Sequence, residues 1–188
     1  MDNILEVSNL SKKYDQFSLS NVNITLPKGC TMGFVGENGA GKSTTIKLIL
    51  NLIHKDSGEI NIFGRNHIKD EKQIKEDVGI VFDESNFPED MKVSNISKVM
   101  KEIYKNWDDA VFQSYLGKFS LPTNKIVKEF SRGMKMKLSI AVALSHNAKL
   151  LILDEATSGL DPIVRDEILD VFLDFIQNEE HSIFIYLL

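Results

Sequence analysis

A glycine-rich segment at residues 36–44 constrains this sequence more than any other feature. It reads GENGAGKST and fits the pattern G-x-x-x-x-G-K-[ST], in which backbone N–H groups wrap a polyphosphate. Because glycine lacks a Cβ atom, Gly36, Gly39 and Gly41 let the loop take positive φ and bring its backbone close to phosphate oxygens. A helix that starts directly after such a loop directs its positive dipole end at the same anion. The segment therefore predicts a nucleotide-phosphate site.

The flanks of this loop have the order that the motif needs. Residues 31–35 form a short, mostly apolar run typical of a buried parallel strand, and apolar residues recur at helical spacing over 43–53. Lys42 supplies a positive charge for the β- and γ-phosphates, and the Ser43 hydroxyl is an oxygen ligand suited to Mg²⁺. The predicted nucleotide-binding residues of the loop are Gly36, Glu37, Asn38, Gly39, Ala40, Gly41, Lys42, Ser43 and Thr44.

Length and composition narrow the class of protein. The 188 residues are enough for one domain with a sizeable core, and 43% hydrophobic with 26% charged residues is ordinary for a soluble globular protein. The formal net charge of −5 argues against sequence-independent nucleic-acid binding, which needs a basic face. A single cysteine excludes an intrachain disulfide. Since no apolar run is long enough to span a bilayer, we expect any membrane connection to go through a partner.

The pattern of the sequence changes along a single predicted domain, 1–188. Residues 1–30 are β-rich, 31–84 and 146–188 carry buried strand candidates separated by helices, and about 85–145 is predicted to be an inserted helical subdomain. One buried strand candidate, residues 150–153, runs into Asp154 and Glu155. Because the carboxyl ends of parallel strands border the ligand crevice of such a sheet, we expect these acids to lie near the phosphate loop.

The two acids carry the predicted chemistry. Asp154 is placed to hold Mg²⁺, directly or through water, and Glu155 to polarise an attacking water molecule. Two other features of the sequence each have two possible interpretations at this point. Tyr14, in a polar turn, is either a surface tyrosine or a stacking platform for a nucleobase. Ser131 and Gly133, at the start of a helical run, form either a plain N-cap or a second anion site.

Three motifs in a fixed order point to a family. GENGAGKST matches a Walker A motif, FSRGM at 130–134 occupies the position of a signature motif, and LLILDEATSGLDP matches a Walker B motif with its D-loop. In these motifs and over nearly its whole length, the chain resembles the ATP-binding subunit of an ABC transporter. The resemblance implies an α/β P-loop NTPase fold of the ABC ATPase type, with a mainly parallel core sheet, an N-terminal antiparallel β subdomain and an inserted helical subdomain.

The resemblance also implies ligands, partners and residue roles. ATP and Mg²⁺ are the expected ligands, Glu155 is the expected catalytic residue, and Tyr14 matches the aromatic residue that stacks on adenine. Ser131, Arg132, Gly133 and Asp161 match positions that face the ATP held by a second cassette, which implies a head-to-tail dimer. A transmembrane subunit is the other expected partner, so the chain is expected in the cytoplasm, peripheral to the membrane, and without a nucleic-acid partner.

Three departures from the family pattern set further expectations. The signature is usually LSGGQ, and here Phe130, Arg132 and Met134 replace three of its residues. Asp83 stands where the family has its Q-loop glutamine, and a carboxylate is still a hard oxygen ligand for Mg²⁺. The family's switch histidine aligns near Leu188, which does not match it. We therefore expect a C-terminally truncated or frameshifted version of a longer subunit, with weak ATP turnover.

Three functional interpretations remain at the level of sequence. The first is an ATPase that powers a transporter through dimerisation of two cassettes. The second is a soluble ABC ATPase acting on DNA or ribosomes, against which the acidic charge and the single cassette argue. The third is a nucleotide-binding module that does not hydrolyse ATP, favoured by Asp83 and by the unmatched histidine position.

Overall fold

The structure, a computed structural model, describes residues 2–37, 39–83 and 87–187. Two positions singled out from the sequence, Asn38 and Leu188, lie outside these residues. In chain order the elements are β1 (Asn3–Lys13), β2 (Ser18–Pro27), β3 (Thr31–Val35), α1 (Lys42–Ile49), β4 (Ser57–Ile62), β5 (Arg65–Asn66), α2 (Glu71–Asp77), β6 (Val78–Val81), α3 (Val93–Ile103), α4 (Asp109–Lys118), a short 3₁₀ helix (Val127–Glu129), α5 (Arg132–Leu144), β7 (Leu150–Asp154), α6 (Pro162–Ile176) and β8 (Ser182–Leu187).

Strands β1 and β2 form an antiparallel sheet with β4 and β5, in the order β2-β1-β4-β5, although β4 and β5 lie in the range 31–84 predicted as part of the P-loop core. Leu5 pairs with Leu26 on one side and with Ile62 on the other, and all three side chains are buried. Alternation along these strands places apolar residues on the inner face, as expected for an antiparallel sheet with one solvated face. The predicted N-terminal antiparallel part of the fold is confirmed.

The second sheet is parallel, with the strand order β3-β8-β7-β6. Strand β8 therefore lies between β3, which leads into the glycine loop, and β7, which ends at Asp154. Tyr186 on β8 is paired with Phe34 of β3 and with Asp154 of β7. Because the strands run in one direction, their carboxyl ends share one edge, and the loop and the acids meet there.

The two faces of the parallel sheet are buried in different cores. Helix α1 packs with the antiparallel sheet on one face, around Ile46 and Phe184. Helices α5 and α6 pack on the other face, and Leu138 and Ile168 are fully buried there. Both faces of β6, β7 and β8 are covered, which explains why these strands read as nearly continuous apolar runs. Strand β3 differs, because Thr31, Gly33 and Val35 are exposed, so the prediction of a buried strand at residues 31–35 is wrong for one of its faces.

Helices α3 to α5 occupy the part of the chain between β6 and β7. Their shared core is centred on Ile96 and Phe112, which are both fully buried. Asp108 caps α4 by accepting hydrogen bonds from the amides of Ala110 and Val111 at 2.8 and 3.0 Å. Among the described residues, no helix has both the length and the apolar character that crossing a bilayer would require.

Helix α1 is shorter than the sequence predicts. The apolar spacing predicts a helix over 43–53, whereas α1 ends at Ile49. Asn51 takes a φ of 54°, a left-handed conformation that commonly ends a helix and that asparagine tolerates better than most residues. The apolar spacing continues beyond the end of α1 because Ile53, although outside the helix, is still partly buried against the core.

Candidate nucleotide site

The glycine loop turns on two residues in the left-handed region. Gly39 has a φ of 82° and Gly41 a φ of 92°. A Cβ atom at Gly41 would also lie 2.7 Å from Phe17 Cζ and 2.8 Å from Leu19 Cδ1, so a side chain is excluded there twice over. Gly36 behaves differently, because its φ is not positive and the nearest atom to a Cβ there would be Lys42 Cδ at 3.6 Å.

The start of α1 offers free backbone donors. Gly41 is the N-cap residue, and no described side chain caps the helix. The amide of Thr45 and its hydroxyl both donate to the Gly41 carbonyl, at 2.8 and 2.9 Å. The amides before Thr45 are the orphan donors of a helix N-terminus, and Ser43 and Thr44 are half-buried beside them. Such an end is suited to a phosphate group.

The Lys42 ammonium group is held at the centre of the site. The residue is only 4% exposed, and its Nζ donates to the carbonyl oxygens of Gly36 and Glu37, the latter at 2.6 Å. The same Nζ atom lies 4.8 Å from the centroid of the Tyr186 ring. A positive charge over the face of an aromatic ring is a favourable arrangement. A side chain of strand β8 thus packs against the lysine of the glycine loop.

The two acids lie at the end of β7, on the same edge of the sheet. Asp154 is half-buried, and its Oδ1 atom is buried without a hydrogen-bond partner among the described residues. Burial, followed by the charge of Glu155, raises the pKa of Asp154. Glu155 takes a φ of 53°, which is uncommon for a residue with a side chain. Strain of this kind is concentrated at functional sites.

Tyr186 is a residue of the site that the sequence did not indicate. It is 4% exposed and lies between the strands that carry the loop and the acids. The neighbouring Glu155 carboxylate, followed by burial, raises the pKa of Tyr186 to about 12. The residue therefore lies beside both Lys42 and Glu155.

The residues at this edge fit a magnesium ion bound together with a nucleotide. The described part of the chain holds no group of three or more His, Cys, Asp or Glu side chains arranged for a metal. Mg²⁺ commonly takes one or two carboxylates, with phosphate oxygens and water as its other ligands. The unpartnered Oδ1 of Asp154 and the Ser43 hydroxyl are the donors suited to that role. Asp83 instead forms an ion pair with Arg132.

Tyr14 lies in the turn between β1 and β2. Its ring is 42% exposed, and its centroid lies 6.4 Å from that of Phe17. Because Phe17 packs against Gly41, the exposed Tyr14 ring stands on the same side of the molecule as the loop. Lys12 Nζ approaches the Tyr14 ring at 5.5 Å. An exposed face of this kind suits stacking on a base.

The signature residues lie at the start of α5. The Ser131 Oγ atom caps the helix by accepting from the Met134 amide at 3.2 Å, so the N-cap interpretation is confirmed as a local structure. Gly133 packs on α6, where its Cβ would lie 3.2 Å from Val164 Cγ1. Asp161 caps α6 and accepts from the Val164 amide at 3.1 Å. Ser131 and Asp161 are exposed, while Gly133 is half-buried.

Arg132 connects three of the predicted motif segments. Its guanidinium group pairs with Asp83, which follows β6. It also lies against Gly159, where a Cβ atom would come within 2.7 Å of Arg132 Nη1. The side chains of Arg132 and Asp83 are 51% and 40% exposed. Within this chain, the replaced signature position and the replaced Q-loop position are therefore in contact.

The fold and this site define the chain as a nucleotide-binding α/β protein with a phosphate loop. A family model described as ABC transporter matches residues 19–158. The bacitracin transport ATP-binding protein BcrA of Bacillus licheniformis is 40% identical over 168 residues, which cover 87% of this chain and 54% of BcrA. The lantibiotic transport ATP-binding protein SrtF of Streptococcus pyogenes is 35% identical over 175 residues, which cover 92% of this chain and 75% of SrtF. The chain belongs to the ABC transporter ATP-binding family.

Solved structures agree with this assignment. A structure of the ATP-binding subunit of an ABC transporter superimposes with a TM-score of 0.80 and 26% identity, over 97% of this chain and 78% of that one. CbiO1 of Clostridium perfringens, part of the transporter complex cbiONQ, has a TM-score of 0.76 and 27% identity, over 99% and 78%. The predicted family and fold are thus confirmed. The chain spans 54% of the length of BcrA and 62% of that of YtrB from Bacillus subtilis.

Proposed function

We propose that this chain binds and hydrolyses ATP and that two cassettes, joined to a transmembrane subunit, use this reaction to power transport. The observation that carries the proposal is the position of Tyr186, whose ring lies 4.8 Å from Nζ of the loop lysine Lys42 and whose backbone is paired with that of the acid Asp154. Strand order alone brings the phosphate loop and the acids to one edge of the sheet. Relatives named for transport of bacitracin and lantibiotics support the transport role.

The residues of the site have separate tasks in this reaction. The free amides at the start of α1 and the Lys42 ammonium group bind the β- and γ-phosphates. Ser43 and Asp154 would hold Mg²⁺, which would neutralise charge on the phosphate oxygens. Glu155 orients a water molecule for attack on the γ-phosphorus and accepts its proton, while the bond from the γ-phosphorus to the β–γ bridging oxygen breaks and ADP leaves. The Tyr14 ring stacks on adenine at the rim of the site.

The proposed partners are inferred from exposed residues of the signature motif and the D-loop. Ser131 and Asp161 are exposed, and we propose that they contact the ATP of a second cassette in a head-to-tail dimer. In this arrangement each ATP is held by the glycine loop of one cassette and the signature helix of the other. The location that goes with this function is the cytoplasmic face of a membrane, where a transmembrane partner holds the chain.

Steady-state phosphate release from Mg²⁺-ATP tests the hydrolytic part of the proposal. Glu155→Gln keeps the size of the side chain and removes its basicity, so turnover should fall at least about a hundredfold while ATP binding is kept. The matched control is Glu102→Gln, an exposed carboxylate on α3 that should leave turnover unchanged. Binding without turnover in the unmodified chain would instead favour the module that does not hydrolyse ATP.

Dimerisation is tested by sedimentation of Glu155→Gln with and without Mg²⁺-ATP. Because this variant retains the nucleotide, ATP should convert a monomer to a dimer. Lys42→Ala should stay monomeric with ATP, since it lacks the charge that holds the phosphates. A sedimentation coefficient that does not change with ATP would contradict the sandwich of two identical cassettes.

A further inference from the structure

Arg132 and Asp83 stand at two positions where the family usually has uncharged residues, and the chain pairs them across 49 residues of sequence. Asp83 follows β6 and Arg132 begins α5, so the pair joins the parallel sheet to the helix that carries the signature. The same guanidinium group contacts Gly159 in the loop after β7. One side chain therefore contacts the segments that follow two neighbouring strands.

The position of Asp83 makes an unpaired charge there unfavourable for nucleotide binding. Strand β6 pairs in parallel with β7, with Val81 opposite Leu153, so Asp83 and Asp154 both lie at the carboxyl edge of the sheet. A triphosphate bound beside Asp154 would bring several more negative charges to the same edge of the sheet. Arg132 supplies the positive charge that balances Asp83.

The pair is too exposed to contribute much to folding. Ion pairs between exposed side chains contribute little to the free energy of unfolding. The side chains of Asp83 and Arg132 are 40% and 51% exposed, so stability is a poor explanation for their pairing. Their contribution is better sought at the nucleotide site.

We propose that Arg132 is a positioning residue for the nucleotide site, which neutralises the Asp83 carboxylate and holds it away from the triphosphate. The exchanges at positions 83 and 132 thus work as one unit. This inference rests on the proposed function, because it assumes that ATP binds at the glycine loop.

The test measures the dissociation constant of Mg²⁺ with a non-hydrolysable ATP analogue by calorimetry at low salt. Arg132→Gln leaves Asp83 unpaired, and repulsion between its carboxylate and the phosphates should weaken binding about fivefold. Asp83→Asn combined with Arg132→Gln should recover most of the lost affinity, since no unpaired carboxylate remains. High salt should shrink the difference between Arg132→Gln and the unmodified chain.

Lys135→Ala is the matched control. Lys135 lies one turn further along α5, lines the same pocket as Asp83 and Arg132, and pairs with Glu89 at 3.8 Å. Its loss therefore removes an equal charge without leaving Asp83 unpaired. Binding should be unchanged in this variant. Arg132→Lys keeps the charge and should bind within about twofold of the unmodified chain. Arg132→Ala gives a second route if Arg132→Gln does not fold.

Three results would overturn the inference: Arg132→Gln binds as the unmodified chain does, the double variant stays as weak as Arg132→Gln, or Lys135→Ala weakens binding as much. Lys42→Ala separates this failure from failure of the proposed function. If the unmodified chain binds the analogue and Lys42→Ala does not, the nucleotide site stands whatever the result at Arg132.

Discussion

The Lys42 ammonium group lies 4.8 Å from the centroid of the Tyr186 ring, although the two residues are far apart in the sequence. The neighbouring Glu155 carboxylate raises the pKa of the same tyrosine. Tyr186 therefore lies beside both the lysine of the glycine loop and the acid that follows β7. The geometry of the site therefore depends on β8 being seated between β3 and β7.

The first prediction concerns the stability of the protein at high pH. Glu155 and burial raise the pKa of Tyr186 to about 12, above the usual value of about 10. The stabilisation is therefore complete below pH 10 and is lost as pH rises through about 12. Urea unfolding should show the unmodified chain losing about 1–2 kcal/mol more than Tyr186→Phe between pH 9 and 12. Equal losses in the two proteins would contradict the raised pKa of Tyr186.

The second prediction is that the Asp154 carboxylate lowers the free energy of unfolding of the protein when no ligand is bound. Burial and Glu155 raise its pKa, so the protonated form is favoured by folding, and stability is lost as pH rises through the folded-state pKa. At neutral pH, Asp154→Asn should therefore raise the free energy of unfolding by about 1 kcal/mol. The same variant should bind ATP with much less dependence on Mg²⁺.

The control for this second prediction is Asp166→Asn, an exposed carboxylate on α6 that should change neither quantity. Urea unfolding without metal gives the stability, and calorimetric titration with and without Mg²⁺ gives the metal dependence. A less stable Asp154→Asn chain would show that the carboxylate contributes to the fold rather than to ligand binding.

The third prediction is that Tyr14 contributes to base binding. A base stacked on an aromatic side chain gains about 1–3 kcal/mol, so Tyr14→Ala should weaken ATP binding at least about fivefold. Tyr14→Trp keeps a flat aromatic face and should bind as well as the unmodified chain. Inorganic triphosphate, which has no base, should bind all three proteins equally. An equal loss for ATP and triphosphate would place the effect in the fold of the turn instead.

The fourth prediction compares two glycines of the loop that share a positive φ. Gly41→Ala adds a Cβ within 2.7 Å of Phe17, whereas among the described residues nothing except its chain neighbours lies within 4 Å of a Cβ at Gly39. Gly39→Ala should cost about 1 kcal/mol of unfolding free energy from backbone strain alone. Gly41→Ala should cost about 1–3 kcal/mol more, because Phe17 and Leu19 must move. Equal losses of unfolding free energy in the two variants would show that Phe17 and Leu19 can move away from the added Cβ atom without a measurable cost.

Local pattern predicted the parts of this site that lie in one stretch of sequence. The order strand, glycine loop and helix is present at β3 and α1, and the apolar run before Asp154 is the strand β7. These features depend on neighbouring residues only. The assignment to the ABC transporter ATP-binding family, made from three motifs, is confirmed by the family match.

Contacts made across the fold could not be predicted in this way. Tyr186 joins the site because β8 lies between β3 and β7, and strand order is not written in any local pattern. Phe17 closes on Gly41 through the turn of a hairpin far from the loop in sequence. Position in the family motif predicts Asp83 as a magnesium ligand, whereas its ion pair with Arg132 depends on how α5 packs on β6.

A crystal structure of this chain with Mg²⁺ and a non-hydrolysable ATP analogue tests the central claim most directly. The account predicts that residues 36–44 wrap the triphosphate, that the metal lies between Ser43 and Asp154, and that Glu155 faces the γ-phosphate. A nucleotide bound elsewhere, or Asp154 and Glu155 turned away from the phosphates, would contradict it.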